Sequence, residues 1–396
     1  MQCNKIIKAL EVLPLQNQWL YEIYGRVLWG INEYLRSLKL SRLVLYVIGS
    51  IAKGEPSCTK VCNDLGRCFL MISDLDLLAF ANISTYLKCI LLHCDHYVKR
   101  LERLFLKKNI DFHISLSLAP PLVYRLGLSK LNTIDYYELA AVVCFENKRI
   151  CELYRKDRFP YIDRRDILDL AISSFVDVLS VILKPRNKSN DKDTYILSKR
   201  ILTLLYCIEL YLGLKPRSFS ETPLIATMNF EKLESFIDKN DLELLNTLSS
   251  IKSLNSCRET SSIPQSDKDK LIHLYKKLLK GFLIRLSNDL GVTNTVELLT
   301  RTKEGRLISR RKLLPLLLLY VALYTIAKLL HRDVDKIRGE LVTMLRYRMR
   351  LVDFLRLLAL KYLILLVTSD LRMTKYTALI NAGLKLVDAW YRYMVL

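Results

Sequence analysis

Glycine and proline, the residues that most often interrupt regular structure, are scarce in this chain: 12 and 10 of 396 residues. Hydrophobic residues make up 51% of the chain, so its composition is that of an ordered protein and excludes a largely disordered one. No Cys-x-x-Cys pair occurs among the 10 cysteines, and the usual zinc modules are therefore not indicated. The most apolar stretch, residues 313–327, has 15 uncharged residues and is too short to span a bilayer.

A secretory signal pattern is also lacking, because the polar, basic start of the chain is not followed by an apolar run with a small-residue cleavage site. We therefore expect a reducing cytoplasmic location and no stable insertion into a membrane. Three cysteines nevertheless lie close together, at Cys58, Cys62 and Cys68. A disulfide there, such as one between Cys58 and Cys68, is the alternative if the source is a hyperthermophile. The sequence does not indicate an oligomeric state.

Acidic residues are few, 40 against 61 basic ones, which gives a net charge of +21. The excess is uneven, since residues 270–396 alone have a net charge of +15. A surface of this kind attracts polyanions, RNA or DNA above all. The basic side chains that we expect to contact nucleic acid are Arg306, Arg310, Arg311, Arg346 and Arg350.

Two polar segments divide the chain, which is too long for one small core. The first is charged and ends at Pro160, and the second is rich in serine and lies between residues 249 and 269. We expect an α+β domain over 1–154, a helical domain over 155–250 and a basic helical domain over 268–396. The helical period predicts helices over 164–183 and 195–212, the second ended by Gly213.

The pattern with most chemical content lies between residues 46 and 80. A short apolar strand leads into Gly49-Ser50, and a second strand carries Asp74 and Asp76. Residues two apart on a strand share a face, so the two carboxylates lie close together. A cation is needed to offset the repulsion between these like charges. A hard divalent ion such as Mg²⁺ prefers oxygen ligands of this kind. A glycine turn at the start of a helix binds phosphate, and Lys53 adds a positive charge there.

A Gly-Ser turn followed by Asp-x-Asp and a third carboxylate resembles the nucleotidyltransferases of the DNA polymerase β superfamily. The candidate third carboxylate is Asp111, in a segment over 109–118 whose polar and apolar residues alternate as in a strand. The resemblance covers about the first 150 residues. It implies an α+β fold in which a mixed sheet is flanked by helices and followed by a mostly helical region.

The resemblance also implies a reaction: transfer of a nucleoside monophosphate from an NTP, such as ATP, to an acceptor hydroxyl with release of pyrophosphate. Asp74, Asp76 and Asp111 would hold two Mg²⁺ ions, with Asp111 also accepting the proton of the acceptor hydroxyl. The phosphates of the leaving group would be bound by Gly49, Ser50 and Lys53.

The acceptor stays open at this point. RNA or tRNA fits the basic C-terminal third, whereas a small molecule or a protein hydroxyl would leave that charge unexplained. A non-catalytic RNA-binding or scaffold protein with the same fold is the alternative of another class.

One departure from the family pattern concerns spacing, because Asp74 follows Gly49 by 25 positions, which exceeds what is usual in the family. We expect the extra stretch, 55–68, to be an inserted loop or hairpin.

Overall fold

The structure is a computed structural model, and the residues it describes are 18–37, 44–52, 55, 57–62, 68–80, 94–119, 162, 164–183, 191–253, 258–259, 268–289, 291, 384–385 and 387–389. The described strands are β1 (Val44–Ile48), β2 (Cys58–Cys62), β3 (Cys68–Ile72), β4 (Leu75–Phe80), β5 (Ile110–Asp111), β6 (Ile114–Ala119) and β7 (Arg258–Glu259). The described helices are α1 (Gln18–Ser37), α2 (Gly49–Ala52), α3 (Cys94–Leu106), α4 (Arg164–Ile182), α5 (Asp191–Tyr211), α6 (Thr222–Met228), α7 (Phe230–Leu233), α8 (Lys239–Ser253) and α9 (Lys268–Asp289). The expected α+β class is confirmed.

Strand β4, which contains Asp76 and begins directly after Asp74, lies at the centre of a three-stranded mixed sheet in the order β1-β4-β6. It is antiparallel to β1 and parallel to β6. Leu75 and Leu77 are fully buried, while Asp76 between them is only half-buried. The strand therefore has the alternation that its sequence predicted, with leucines toward the core and carboxylates on the opposite face.

The prediction of one strand over 109–118 is wrong, because the chain forms two short strands there that join different sheets. Strand β5 pairs with β3, and β6 pairs with β4. Between them, Phe112 is buried against the rings of Tyr24 and Phe105, and the carbonyl of His113 accepts the N–H of Leu75. Burial still alternates, with Phe112 and Ile114 buried and His113 exposed between them, but the two strands pair with different neighbours.

The stretch between the turn and β4 contains an antiparallel hairpin, β2–β3, as expected for the insertion. Its sheet has the order β5-β3-β2-β7. Strand β7 comes from the serine-rich segment that the sequence indicated as a linker, and it pairs with β2 in parallel. This segment is therefore more than a spacer, since it adds an edge strand to the N-terminal hairpin.

Cys58 and Cys68 are both in disulfide bonds, but not with each other. Cys58 lies opposite Ile72, four residues along β3 from Cys68, which separates the two cysteines by about 13 Å. That distance is about twice what a disulfide spans. Such bonds are typical of oxidising compartments and of hyperthermophiles, so the reducing location expected from the sequence stays a prediction.

The helical part is built around α5, which packs against α4, α8 and α9. Nearly every position from Leu197 to Leu210 is buried, so this helix has apolar residues all round, as a helix at the centre of a bundle requires. The predicted helix end is confirmed: Gly213 has φ of +78°, and the N–H of Leu214 donates to the carbonyl of Glu209. Among the helices described, none is both long and apolar enough to cross a membrane.

Candidate active site

The Gly-Ser turn and the second aspartate are in direct contact. Strand β1 ends opposite β4, with Ile48 paired to Asp76, and Gly49 turns out of the strand with φ of +73°. A Cβ atom on Gly49 would overlap Oδ2 of Asp76 and would lie 3.3 Å from its Cγ. Two features therefore require glycine at position 49: the left-handed backbone conformation and the close approach of the Asp76 carboxylate.

The first aspartate of the pair, Asp74, faces helix α5 across the site. Its Oδ2 accepts a hydrogen bond from Nζ of Lys199 at 3.0 Å, and the side chains are 37% and 21% exposed. Burial acts to raise the pKa of Asp74, but the Lys199 ammonium, with help from His113 and Arg200, holds this pKa below its ordinary value. The Asp74 carboxylate is thus kept charged by a lysine from another part of the chain.

The third predicted carboxylate, Asp111, is oriented toward the same helix. Its Oδ2 accepts a hydrogen bond from Nζ of Lys192 at 3.1 Å, and both side chains are 43% exposed. Lys192 and Lys199 are seven residues apart, two turns of α5, and therefore lie on one helix face. Asp74 and Asp111 are brought to the same face of one helix, yet each is paired with its own lysine.

A histidine beside the aspartates belongs to the same cluster of charges. Nδ1 of His113 lies 2.7 Å from Oε1 of Glu102, a residue of α3, and that oxygen also accepts the N–H of Ile114 at 2.7 Å. The hydrogen bond to Glu102 raises the pKa of His113 against the effect of burial, and the negative charges of Asp74 and Asp76 raise it further. The imidazole therefore takes up a proton more readily here than it would in water.

Buried hydroxyl groups hold the start of β4 in place. The hydroxyl of Tyr24, a fully buried residue of α1, donates to the carbonyl of Ser73 at 3.0 Å. Oγ of Ser73 accepts the N–H of Ser57, and the Ser57 hydroxyl lies 2.6 Å from that of Tyr195 on α5. Burial raises the pKa of Tyr24, and the nearby Asp74 and Asp76 carboxylates add to this effect, so the phenol stays a neutral donor.

Glu55, a few residues after the Gly-Ser turn, connects the turn to the helical part. Its N–H donates to the carbonyl of Ser50, and its carboxylate is 5% exposed. The carboxylate oxygens accept the backbone N–H groups of Phe219 and Ser220 at 2.8 and 2.6 Å. Two charge-assisted hydrogen bonds therefore join the Gly-Ser turn to the loop before α6.

The donor set at the turn suits a hard divalent cation in part. Asp74 and Asp76 offer carboxylate oxygens, and the bare Cα of Gly49 leaves the Asp76 carboxylate room to lie against the turn. Within the described residues, however, no group of three or more His, Cys, Asp or Glu side chains is arranged to hold a metal ion. The part played by Asp111 as a third ligand therefore stays a prediction.

Several predicted residues fall outside the described part of the chain: Lys53, Arg306, Arg310, Arg311, Arg346 and Arg350. So do the apolar stretch 313–327 and the boundary near Pro160. The sequence-based interpretation in turn missed Lys192 and Lys199, because it began the helix at Tyr195 and left Lys192 in a loop. Helix α5 begins at Asp191, and the spacing of the two lysines would have placed both on one face.

Comparison of the chain with known protein families, characterised proteins and solved structures finds no match.

Proposed function

We propose that this protein transfers a nucleoside monophosphate from an NTP to an acceptor hydroxyl and releases pyrophosphate. The observation that carries the proposal is the contact between the Gly49 turn and the Asp76 carboxylate, with Asp74 two residues earlier, at the start of the same strand. A phosphate-binding turn and paired carboxylates at one point are what phosphoryl chemistry requires.

Asp74 and Asp76 are the residues that would hold Mg²⁺. When bound, the metal supplies positive charge against the triphosphate and lowers the pKa of the acceptor hydroxyl. Glu55 and the Ser73 hydrogen bonds fix the turn and the strand relative to each other, which favours a constant spacing between phosphate and carboxylates. Asp111, which accepts a hydrogen bond from Lys192, is the proposed acceptor of the proton from the attacking hydroxyl.

Helix α5 takes part in the proposed reaction through Lys192 and Lys199. Both ammonium groups now neutralise carboxylates of the candidate site. In the proposed reaction they exchange carboxylate for phosphate contacts and stabilise the charge that develops on the leaving pyrophosphate. Ser50 and the amides of the turn would bind the same phosphates.

The acceptor we favour is RNA or tRNA, since the chain has a net charge of +21 and nucleic acid is the polyanion such a chain attracts. A small molecule or a protein hydroxyl remains the alternative within the same chemistry. The non-catalytic alternative, an RNA-binding scaffold, predicts binding without any transfer.

The test is incubation of the purified protein with each labelled NTP, Mg²⁺ and total cellular RNA. Asp76→Asn keeps the shape of the side chain and removes its charge, and Asp269→Asn, an exposed change on α9, is the matched control. We expect label in RNA with the wild type and the control but not with Asp76→Asn. Label in protein selects protein nucleotidylation, and no label from any NTP with any acceptor refutes the proposed reaction.

A further inference from the structure

The outer face of helix α3 has a row of exposed basic side chains. Arg100, Arg103 and Lys107 lie at spacings of three and four residues, so they follow one another along one side of the helix over about 10 Å. Lys107 continues the helical hydrogen bonding, since its N–H donates to the carbonyl of Arg103. Lys108 is exposed beside it. We call these four residues the α3 basic stripe.

The opposite face of α3 is already occupied by the protein. Val98 is buried, Phe105 packs edge-on against Phe112, and Tyr97 stacks on Tyr34 of α1 at 4.2 Å. The helix is therefore held firmly with its basic side chains outward. Within the described part of the chain, none of the four cations of the stripe forms a salt bridge, so their charge is available to an external anion.

The face of α3 opposite the stripe contacts the candidate active site through Glu102. This carboxylate holds Nδ1 of His113, and the carbonyl of His113 accepts the N–H of Leu75, the residue between the two aspartates. The stripe therefore lies on the outer side of a helix whose inner side is fixed to the site. Only one acidic residue, Glu102, lies between residues 99 and 108, and it is engaged by His113.

We propose that the α3 basic stripe binds the phosphate backbone of a single-stranded RNA. The inference names the acceptor class for the proposed function and rests on that function for the purpose of binding, but the binding itself is measured without catalysis. Arginine and lysine on one helix face contact successive phosphates and carry no base preference, so binding is salt-dependent and tolerant of sequence.

An anionic membrane surface is the other polyanion to consider, and the structure disfavours it. A helix that lies on a membrane must offer its apolar face to the lipid, whereas the apolar face of α3 packs against the sheet. Leu104 and Leu106 are each 49% exposed, but they lie on opposite sides of the stripe and do not form a face.

The experiment measures binding of a short fluorescein-labelled single-stranded RNA of mixed sequence over a range of salt concentrations, without NTP or Mg²⁺. The test variant is Arg100→Gln, Arg103→Gln and Lys107→Gln together. The matched control is Lys232→Gln, Lys239→Gln and Lys280→Gln, which removes the same charge from exposed positions of the helical part. Thermal unfolding of both variants establishes that each is folded at the assay temperature.

We expect the stripe variant to bind at least about tenfold more weakly and to lower the slope of log K against log salt by about 2, since each phosphate that is no longer neutralised reduces the slope by about 0.7. The control variant should change the slope by much less. Equal decreases in affinity for both variants, or an unchanged slope in the stripe variant, would overturn the proposal. So would a loss of binding to phosphatidylserine vesicles with RNA binding intact. RNA binding through the stripe in a protein that transfers no nucleotide would refute the proposed reaction and leave this inference standing.

Discussion

Two carboxylates of the sheet region, residues 44–119, are paired with lysines, whereas among the described residues one buried carboxylate of the helical region, residues 164–289, has no such partner. In the sheet region the carboxylates of Asp74 and Asp111 lie on one side and are each neutralised by a lysine. In the helical region Glu209 is fully buried in α5, and both of its carboxylate oxygens lack a hydrogen-bond partner among the described residues. The helical region also contains ion pairs, such as Lys268 with the fully buried Asp193, so the difference lies in whether a cation reaches the carboxylate.

The largest effect should come from replacing Gly49 by alanine, because both backbone strain and overlap with Asp76 oppose a side chain there. Gly213→Ala is the matched control, since Gly213 has φ of +78° with nothing within 4 Å of its added Cβ. The control isolates the cost of the backbone conformation, about 1–2 kcal/mol. Gly49→Ala should cost about 1–3 kcal/mol more, measured by urea unfolding, and should abolish nucleotide transfer.

Equal destabilisation by the two glycine changes would contradict the close contact between the turn and Asp76. Loss of transfer in Gly213→Ala as well would show that global stability, and not the turn, limits the activity.

Removal of the Glu55 carboxylate should have the next largest effect, because it leaves two backbone N–H groups of the helical region without acceptors. Glu55→Ala should lower the free energy of unfolding by about 2–3 kcal/mol. Glu55→Gln, which keeps one acceptor oxygen, should lose about half as much. Glu243→Ala, an exposed change on α8, is the control and should stay within about 0.5 kcal/mol of the wild type.

Equal stability of Glu55→Ala and the wild type would mean that the turn and the loop before α6 are not coupled. Hydrogen exchange at Phe219 and Ser220 measures the same coupling locally, and faster exchange is expected in Glu55→Ala.

The ion pair between Lys199 and Asp74 should be worth more than the more exposed pair between Lys192 and Asp111. Lys199→Met should cost about 1–2 kcal/mol at neutral pH, after allowance for the solvent that reaches Asp74, and Lys192→Met about 0–1 kcal/mol. Because the folded-state pKa of Asp74 is lowered, its stabilising contribution is present above the ordinary aspartate pKa and is lost as the pH falls below it.

The free energy of unfolding, measured from neutral to acid pH, tests the contribution of the pair between Lys199 and Asp74. The difference between wild type and Lys199→Met should shrink as Asp74 is protonated in the folded protein. A difference that stays constant down to the lowest pH would show that Lys199 acts by packing and not through Asp74.

The smallest of the four effects should be a gain in stability, from Glu209→Met. Burial, with the nearby Glu221 carboxylate, raises the pKa of Glu209 to about 9, so the folded form keeps a proton that the unfolded chain loses. The stability of the wild type should therefore fall as the pH rises from about 4.5 toward 9. Glu209→Met removes this dependence and should be about 1 kcal/mol more stable at pH 8. A parallel pH dependence in both proteins would place the ionisation elsewhere.

The sequence predicted those parts of the site that depend on local order along the chain. The turn at Gly49-Ser50, a strand that begins directly after Asp74 and contains Asp76, and the inserted hairpin all follow from residue spacing, and the structure has them. The single strand over 109–118 was predicted wrongly, because alternation of burial does not specify which strand each residue pairs with. Phe112 and Ile114 are buried as the pattern requires, yet β5 and β6 join different sheets.

The partners of the carboxylates were beyond the reach of pattern analysis. Lys199 is 125 residues from Asp74, and Phe219 is 164 residues from Glu55. Contacts over such separations depend on how α5 lies across the sheet and on how the loop before α6 returns to the turn. No periodicity in either segment specifies the other.

The order of residues along the chain alone determined the turn, the paired aspartates and the buried faces of the helices, because short-range sterics and side-chain period act within a few residues. Only the tertiary structure decided which cation faces which carboxylate, and that Gly49 rests against Asp76. The physical reason is that electrostatic and packing interactions depend on distance in space, which folding brings from tens of residues to a few ångströms.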